Sequence, residues 1–372
     1  MMLKSLKKLP IITSENSKDL LIRQRNLHNL CQQFNVDYFV TSSKTHLRYL
    51  TGYNGSNGLL ILNRNKIMFV TDSRYQDIIK DEVVADKKII GTGNLLDFIL
   101  KQNIIKNNSI IGYDPNSLQL VSYSLLENKF SSRKLKKLPN IIDKIMSVKS
   151  ESEINKIKEA VKITDTVFNN ILKLISPSIT EKDISAEITY QQQKLGAEGD
   201  AFPPIIAFGE RSALPHSHPT KRKISKGAVL LDFGCRVDGY NSDMTRTLHF
   251  GKANSSFKKH YQILLQAQEI TLNSIKPGIS GKKLDSIARN FLRKNKLDKY
   301  FIHSVGHGLS LDIHAFPRLS KTSTDILEVG NVITIEPGIY FPGKYGIRIE
   351  DDAIVGSTTN ILNKSPKNLI EI

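Results

Sequence analysis

Tryptophan is absent from these 372 residues, cysteine occurs twice, and acidic residues are outnumbered, 36 Asp and Glu against 53 Lys and Arg. Cys31 and Cys235 are too few and too far apart for a disulfide scaffold, and they fit a reducing compartment. No apolar run is long enough to span a bilayer. The opening segment Met1-Met-Leu-Lys-Ser-Leu-Lys-Lys-Leu-Pro-Ile-Ile-Thr13 is basic but has no long apolar core and no small-residue cleavage site. A secretory leader is therefore not expected, and a cytoplasmic location is. The shortage of acid gives a formal net charge of +17, which raises the question of nucleic acid. The lysines are dispersed, with small clusters at Arg133-Lys-Leu-Lys-Lys137 and Lys221-Arg-Lys223. Zinc-finger spacing is missing and aromatics are scarce at 7%. The charge reads as a solvated surface that can draw in acidic peptides, not as a nucleic-acid face.

The chain is long for a single core, so two domains are expected. Residues 1–140 read as one α/β unit. A polar helix over 17–34 precedes the apolar strands Tyr38-Phe-Val40, Gly58-Leu-Leu-Ile-Leu62 and Lys66-Ile-Met-Phe-Val70, the last two joined by a turn at Asn63-Arg-Asn65. The glycine-rich stretch Thr51-Gly-Tyr-Asn-Gly-Ser-Asn-Gly58 lacks phosphate-loop spacing and reads as a turn. A polar, basic zone over 133–153 reads as the linker. The second unit, 141–372, opens on an amphipathic helix with Ile154, Ile157, Val161, Phe168, Ile171, Leu172 and Ile175 at helical spacing, stopped by Ser176-Pro177. Thr180-Glu-Lys-Asp183 resembles a capping box ahead of a helix through Gln193. The pattern turns strand-like from Phe202, with further helices over 256–275 and 282–295. No short-period repeat is visible.

Few as they are, the acids are placed tellingly. Asp232 and Asp243 lie in Ala228-Val-Leu-Leu-Asp-Phe-Gly-Cys-Arg-Val-Asp-Gly-Tyr-Asn-Ser-Asp-Met-Thr-Arg-Thr-Leu-His-Phe250, with their midpoint between Val237 and Asp238. A hairpin turning near Val237-Asp-Gly239 sets them opposite or diagonal on neighbouring strands, and the strand period of two points both to one face. Glu336 and Glu350 repeat the pattern about Gly343, inside Phe341-Pro-Gly-Lys-Tyr-Gly346. Carboxylates in apolar strands are costly unless a cation compensates them. A single strand Asp is ordinarily a turn or edge residue; two symmetric pairs with His307 of Gly306-His-Gly308 between them are the donor set for two divalent metal ions. Oxygen-rich ligation with one imidazole suits Mn, Co, Fe or Zn better than a calcium cage or a thiolate zinc site. Two such ions can share a water and ionise it near neutral pH. Arg348 shares the face of Glu350 and can steady a carboxylate.

These motifs resemble the metallopeptidase family with the pita-bread fold, which includes aminopeptidase P, prolidase, methionine aminopeptidase and creatinase. The resemblance covers nearly the whole chain. Tyr49-Leu-Thr-Gly-Tyr-Asn-Gly-Ser56 with Thr71-Asp-Ser-Arg-Tyr75 looks like the creatinase-type N-terminal domain. Asn241-Ser-Asp-Met-Thr-Arg246, His303-Ser-Val-Gly-His-Gly308, Ile335-Glu-Pro-Gly338 and Arg348-Ile-Glu-Asp351 look like the catalytic domain. The implied fold is α/β (α+β), with the N-terminal domain over 1–140 and, over 141–372, a curved antiparallel sheet covered by helices. The resemblance implies five ligands: Asp243 and Glu350 shared by both ions, Asp232 completing one, His307 with Glu336 completing the other. Manganese is the first expectation, with Co, Zn or Fe as alternatives. Glu336 is also implied in proton shuttling. His216, in Ala213-Leu-Pro-His-Ser-His218, matches a histidine that contacts substrate. His314 matches the one that stabilises the tetrahedral intermediate, and His303 a further substrate-pocket histidine. Arg348 matches the arginine beside the metal carboxylates, and is grouped with the substrate-binding residues. His218, His249 and His260 have no family role and read as surface histidines. Two departures stand out. The family's Gly-His-Gly-x-Gly-Leu is Gly306-His-Gly-Leu-Ser-Leu311 here, and the usual acid after the second histidine is Ala315. Neither position is a ligand; substrate preference and rate are what they touch.

The implied reaction is hydrolysis of the bond between an N-terminal residue and a following proline, a tertiary amide with no N–H. Aminopeptidase P takes peptides of three or more residues. Prolidase takes only Xaa-Pro dipeptides and must hold a free carboxylate. The two N-terminal motifs favour an Xaa-Pro aminopeptidase. The alternative is an Xaa-Pro dipeptidase, for Arg318 in His314-Ala-Phe-Pro-Arg-Leu-Ser320 is placed like an arginine that holds the substrate carboxylate in prolidase; its plain reading is a surface ion pair. A non-enzymatic binding protein on the same fold is a further alternative, and intact ligand positions argue against it. Methionine aminopeptidase lacks the large N-terminal domain, and creatinase uses no metal. The expected partners are a peptide with proline at its second position and a second copy of the chain in a homodimer, with no nucleic acid and no membrane.

Overall fold

The computed structural model describes residues 14–64 and 66–372. The opening segment 1–13, and Asn65 of the expected turn, lie outside the described residues. The chain divides into two compact units, Met1–Met146 and Ser147–Ile372. Among the described residues no helix is long and apolar enough to cross a membrane.

A mixed six-stranded sheet forms the first unit, in the order Lys87–Ile90, Ile67–Thr71, Leu59–Asn63, Tyr38–Thr41, Ile111–Tyr113, Leu135–Lys137. The three strands expected from the sequence pair antiparallel, with Tyr38 opposite Asn63 and Leu59 opposite Val70. Parallel neighbours flank them on both sides. These strands are buried on both faces, which is why they read as unbroken apolar runs without alternation. The first helix spans Ser14–Gln33. A helix not read from the sequence, Lys44–Thr51, follows: Ser43 caps its start, and Gly52 at φ 80° ends it in the left-handed region. The zone expected to be a linker is ordered. It holds the strand Leu135–Lys137 and the helix Ile141–Ser147, anchored by buried Leu138, Ile141, Ile142 and Met146.

The second unit opens on the long helix Glu151–Leu172, followed by Glu181–Lys194. Both start in capping boxes, Ser150 with Glu153 and Thr180 with Asp183. This helix pair covers an antiparallel sheet of Ile205–Phe208, Gly227–Phe233 and Met244–Phe250. Ile163, Phe168, Ile184 and Ile188 pack there with Ile206, Val229, Leu231 and Phe233. A second pair, Ser255–Leu272 and Gly281–Lys294, covers an antiparallel sheet of Ala315–Leu319, Gly306–Gly308, Val332–Ile335, Asp351–Ile354 and Asn360–Ile361. Its core joins Leu264, Leu284 and Leu292 to Ile333, Ile335 and Ala353. Helix, turn and helix thus occur twice, with Ile175-Ser-Pro-Ser-Ile179 and Ile275-Lys-Pro-Gly-Ile279 as the two turns. A repeat this long is not a solenoid unit, so a search for short periods passes over it. The two sheets meet where Glu350 N donates to Thr245 O (3.1 Å) and Asp243 N donates to Asp352 Oδ2 (3.0 Å). The four acids lie at that seam.

Candidate metal centre

Turn chemistry places the first acid pair. Asp238 and Gly239 have φ of 47° and 86°, two successive positive values between the paired residues Val237 and Tyr240. Such a two-residue loop matches the strand twist. Farther down the ribbon Thr245 stands opposite Asp232 and Met244 opposite Phe233. Asp243 is thereby diagonal to Asp232, as the spacing requires. Gly234 permits the close approach: a Cβ there would sit 1.8 Å from Ser242 O.

The second pair is set by two ladders in one register. Gly338 opposes Arg348, and Ile335 opposes Asp351, so Glu336 and Glu350 face each other between them. The connecting turn has Lys344 N donating to Phe341 O at 2.9 Å, Pro342 in second place and Gly343 at φ 71°.

His307 sits between Gly306 and Gly308 on a strand crossed at close range by Thr334 O and Phe316 O. Its Nδ1 lies 3.0 Å from Gly308 O. Nε2 therefore faces the acids, 3.4 Å from Glu336 Oε1 and 3.7 Å from Asp243 Oδ2. One ligand atom from each of Asp243, His307 and Glu350 lies within 4.8 Å of the other two. All ten site residues taken from the sequence (Asp232, Asp243, His307, Glu336, Glu350, His216, His303, His314, Arg318 and Arg348) line one cavity of 590 Å³.

The donor set fits divalent cations. Asp232, Asp243 and Glu350 are 6%, 5% and 2% exposed. Burial, then the neighbouring carboxylates, push Asp243 and Glu350 far above the ordinary range. Burial lifts Glu336 to about 7 despite the Arg348 charge. Burial also raises Asp232, against the pull of Arg348. Its Oδ1 is buried without a hydrogen-bond partner. His307 is pushed down to about 4 by burial and then by His314, which leaves a neutral imidazole with a lone pair to give. Four acids crowded this way ask for more positive charge than one arginine supplies.

Neighbours hold the acids in place. Arg348 Nη2 bonds Asp232 Oδ2; Nε donates to Thr245 Oγ1 (3.0 Å), and Nη1 to Tyr340 OH (2.6 Å) and Pro215 O (3.4 Å). Four of its five N–H groups meet protein acceptors, and it reaches the Asp232 carboxylate directly and that of Glu350 through Thr245. Thr245 Oγ1 donates to Glu350 Oε2 at 2.6 Å. Tyr340 OH also lies 2.9 Å from His303 Nε2. Sequence reading missed Thr245 and Tyr340. Thr245 had a signal, since it lies two residues past Asp243 and so on the same strand face. Tyr340 had one as well, since it lies four residues past Glu336 on the same face and diagonal to Arg348 across the hairpin about Gly343.

His314 stacks edge-on to His307, ring centroids 4.6 Å apart. Arg318 is exposed in the cavity with its guanidinium 5.2 Å from the Phe316 ring. Among the described residues no carboxylate pairs with that guanidinium; Asp325 instead takes the Arg318 backbone N–H. The ion pair expected from its surface position is not formed. His218 also lines the cavity. His249 is not a surface histidine: it is 6% exposed and packs on Phe257. His260 is half-buried, stacked on Phe341 and 2.9 Å from Tyr345 OH. At the departures, Ser310 is buried and its carbonyl accepts from Asn241 N and Nδ2. Ala315 lies on the cavity wall.

Comparison with known proteins places this geometry. The model of metallopeptidase family M24 matches residues 155–357, and that of the creatinase/prolidase N-terminal domain matches residues 23–148. An uncharacterized peptidase, YqhT, of Bacillus subtilis is 36% identical over 353 residues, 94% of this chain and 99% of that one. An Xaa-Pro dipeptidase of Pyrococcus furiosus is 33% identical over 339 residues, 90% of this chain and 94% of that one. Among solved structures, an Xaa-Pro dipeptidase from Bacillus anthracis has a TM-score of 0.90 at 34% identity, covering 95% of this chain and 100% of the other. An X-Pro aminopeptidase from Thermotoga maritima has a TM-score of 0.86 at 32% identity, covering 94% and 99%.

Proposed function

The chain belongs to metallopeptidase family M24, and on that premise we propose that it is an Xaa-Pro dipeptidase working with two divalent cations. The sequence alone put the aminopeptidase first. Two full-length relatives carry the name Xaa-Pro dipeptidase, as does the similar structure from Bacillus anthracis. The observation that carries the choice is Arg318. A guanidinium with no carboxylate partner among the described residues, lining the same cavity as His314, is a holder for a free α-carboxylate, which a dipeptide offers next to the scissile bond. The aminopeptidase stays as the second reading because of the Thermotoga maritima structure.

Asp232, Asp243, His307, Glu336 and Glu350 would hold the cations, with manganese first and Co, Zn or Fe as alternatives. Bound there, the ions supply Lewis acidity and lower the pKa of a water. The chain's own residues do the rest. Arg318 fixes the substrate carboxylate. Phe202, Pro203, Ile205 and Ile313 give the cleft an apolar wall for the pyrrolidine ring. His314 donates to the oxygen that gains charge at the scissile carbonyl. His216 and His303 shape the rest of the cleft, His303 being fixed through Tyr340. The proline nitrogen has no proton and must gain one to leave; Glu336 carries it from the water to that nitrogen.

The test compares Ala-Pro with Ala-Pro-Ala in added manganese. Ala-Pro should be cleaved faster, and Arg318→Met should raise its KM roughly tenfold or more, the loss of one charge-assisted contact. Faster cleavage of Ala-Pro-Ala, untouched by Arg318→Met, would return the assignment to the aminopeptidase.

A further inference from the structure

The first unit buries a second constellation of ligating side chains, independent of the peptidase reading. His46, Asp114 and Asp143 each present one ligand atom, and these lie within 4.8 Å of one another. They arrive from separate pieces of local structure. His46 sits in the first turn of Lys44–Thr51, its N–H bound by Ser43. Asp114 follows the strand Ile111–Tyr113; Oδ1 accepts from Asn116 N and Oδ2 from Asn140 N, both at 2.9 Å. Asp143 lies in the first turn of Ile141–Ser147. His46 is 2% exposed and Asp114 1%.

The imidazole is oriented as ligating histidines are. Nδ1 lies 3.1 Å from Thr41 Oγ1, and Nε2 is turned to the carboxylates, 3.5 Å from Asp143 Oδ1. One ring nitrogen held by a hydroxyl and the other turned towards carboxylates is the arrangement that fixes tautomer and direction together. Burial pushes the Asp114 carboxyl above its ordinary range; the two backbone amides and His46 pull it down, and Asp143 raises it further. A cation entering that cluster would meet two carboxylates and one imidazole nitrogen.

We propose that His46, Asp114 and Asp143 form a mononuclear site for a borderline divalent transition metal of the Zn, Co or Ni class. One nitrogen and two oxygens suit that class and leave positions for water. The Asp143 side chain, 25% exposed, gives solvent access. The competing occupant is a proton, with an imidazolium bridging the two acids.

Zinc counting decides between them. The full chain carrying Asp243→Ala and Glu350→Ala, with the catalytic centre dismantled, is stripped with chelator, equilibrated with micromolar free zinc, desalted and analysed by plasma mass spectrometry. One zinc per chain should remain. Adding His46→Asn, or Asp114→Asn in a second protein, should cut the retained zinc roughly tenfold or more. In the otherwise native chain, His46→Asn should leave Xaa-Pro turnover unchanged. No retained zinc in the starting double variant would overturn the site, as would an unchanged count after both further substitutions. Because that background lacks the two ligands shared between the catalytic ions, failure here is distinct from failure of the catalytic reading.

Discussion

Replacing Thr245 by valine removes one buried hydroxyl and keeps the shape of the side chain. Thr245 is fully buried, opposite Asp232 on the neighbouring strand. Its Oγ1 donates to Glu350 Oε2 at 2.6 Å and accepts from Arg348 Nε at 3.0 Å. A hydrogen bond to a charged group is worth about 1.5–3 kcal/mol. Arg348 keeps its bonds to Asp232 and Tyr340, so the cost to the metal-free protein belongs at the low end of the sum, about 3 kcal/mol. Glu350 loses the donor that aims one of its oxygens. Loss of such outer-shell partners lowers metal affinity about 10–100-fold. The assays are urea unfolding of the metal-free protein and a manganese titration of the folded one. Lower stability with unchanged manganese affinity would make Thr245 a packing residue only. No change in either would refute the reading that this hydroxyl ties Glu350 to Arg348.

Two further outcomes follow from single residues. Lys149 is 5% exposed, and burial pushes its ammonium down to about 7 from 10.5, against the pull of Glu153. The unfolded chain therefore binds more protons between those values. The cost of burying the charge is fully present below pH 7, and stability from this group rises with pH across the window. Lys149→Met should raise the urea midpoint at pH 7, with the gap to wild type narrowing at pH 9; Ser147 O, which accepts from Lys149 Nζ, keeps its bond from Asn331 Nδ2. A gap that is constant with pH would show that the charge is not the cause. Gly234→Ala puts a Cβ 1.8 Å from Ser242 O, and forcing the ribbon apart should cost about 3 kcal/mol or more and displace Asp243 from Asp232. Wild-type turnover and thermal midpoint in that variant would contradict the close approach.

The site was legible where local rules govern it. Period two and the turn signatures Val237-Asp-Gly-Tyr240 and Phe341-Pro-Gly-Lys344 are enough to bring each acid pair together, and the structure has both. Amphipathic spacing and capping residues located the long helices in the same way. What escaped depends on partners distant in sequence. Tyr340 shares a hairpin with Arg348, but its contact with His303 joins it to a segment that local pattern does not reach. His249 looks like any strand histidine until Phe257 of the next helix covers it. The helix Lys44–Thr51 is short, and its polar residues masked five buried positions. The 133–153 zone read as linker by its lysines, while its few apolar side chains decided its structure. Arg318 is the instructive case: exposure suggested an ion pair, yet the nearby Asp325 spends its carboxylate on a backbone amide.

Asp232, Asp243, His307, Glu336 and Glu350 should gather two cations. Anomalous diffraction from crystals grown with manganese, collected at the manganese edge, reads this directly. Two peaks in the cavity, each within bonding distance of these side chains and sharing Asp243 and Glu350, are expected. An empty cavity at saturating manganese, or ions held by other groups, would contradict it.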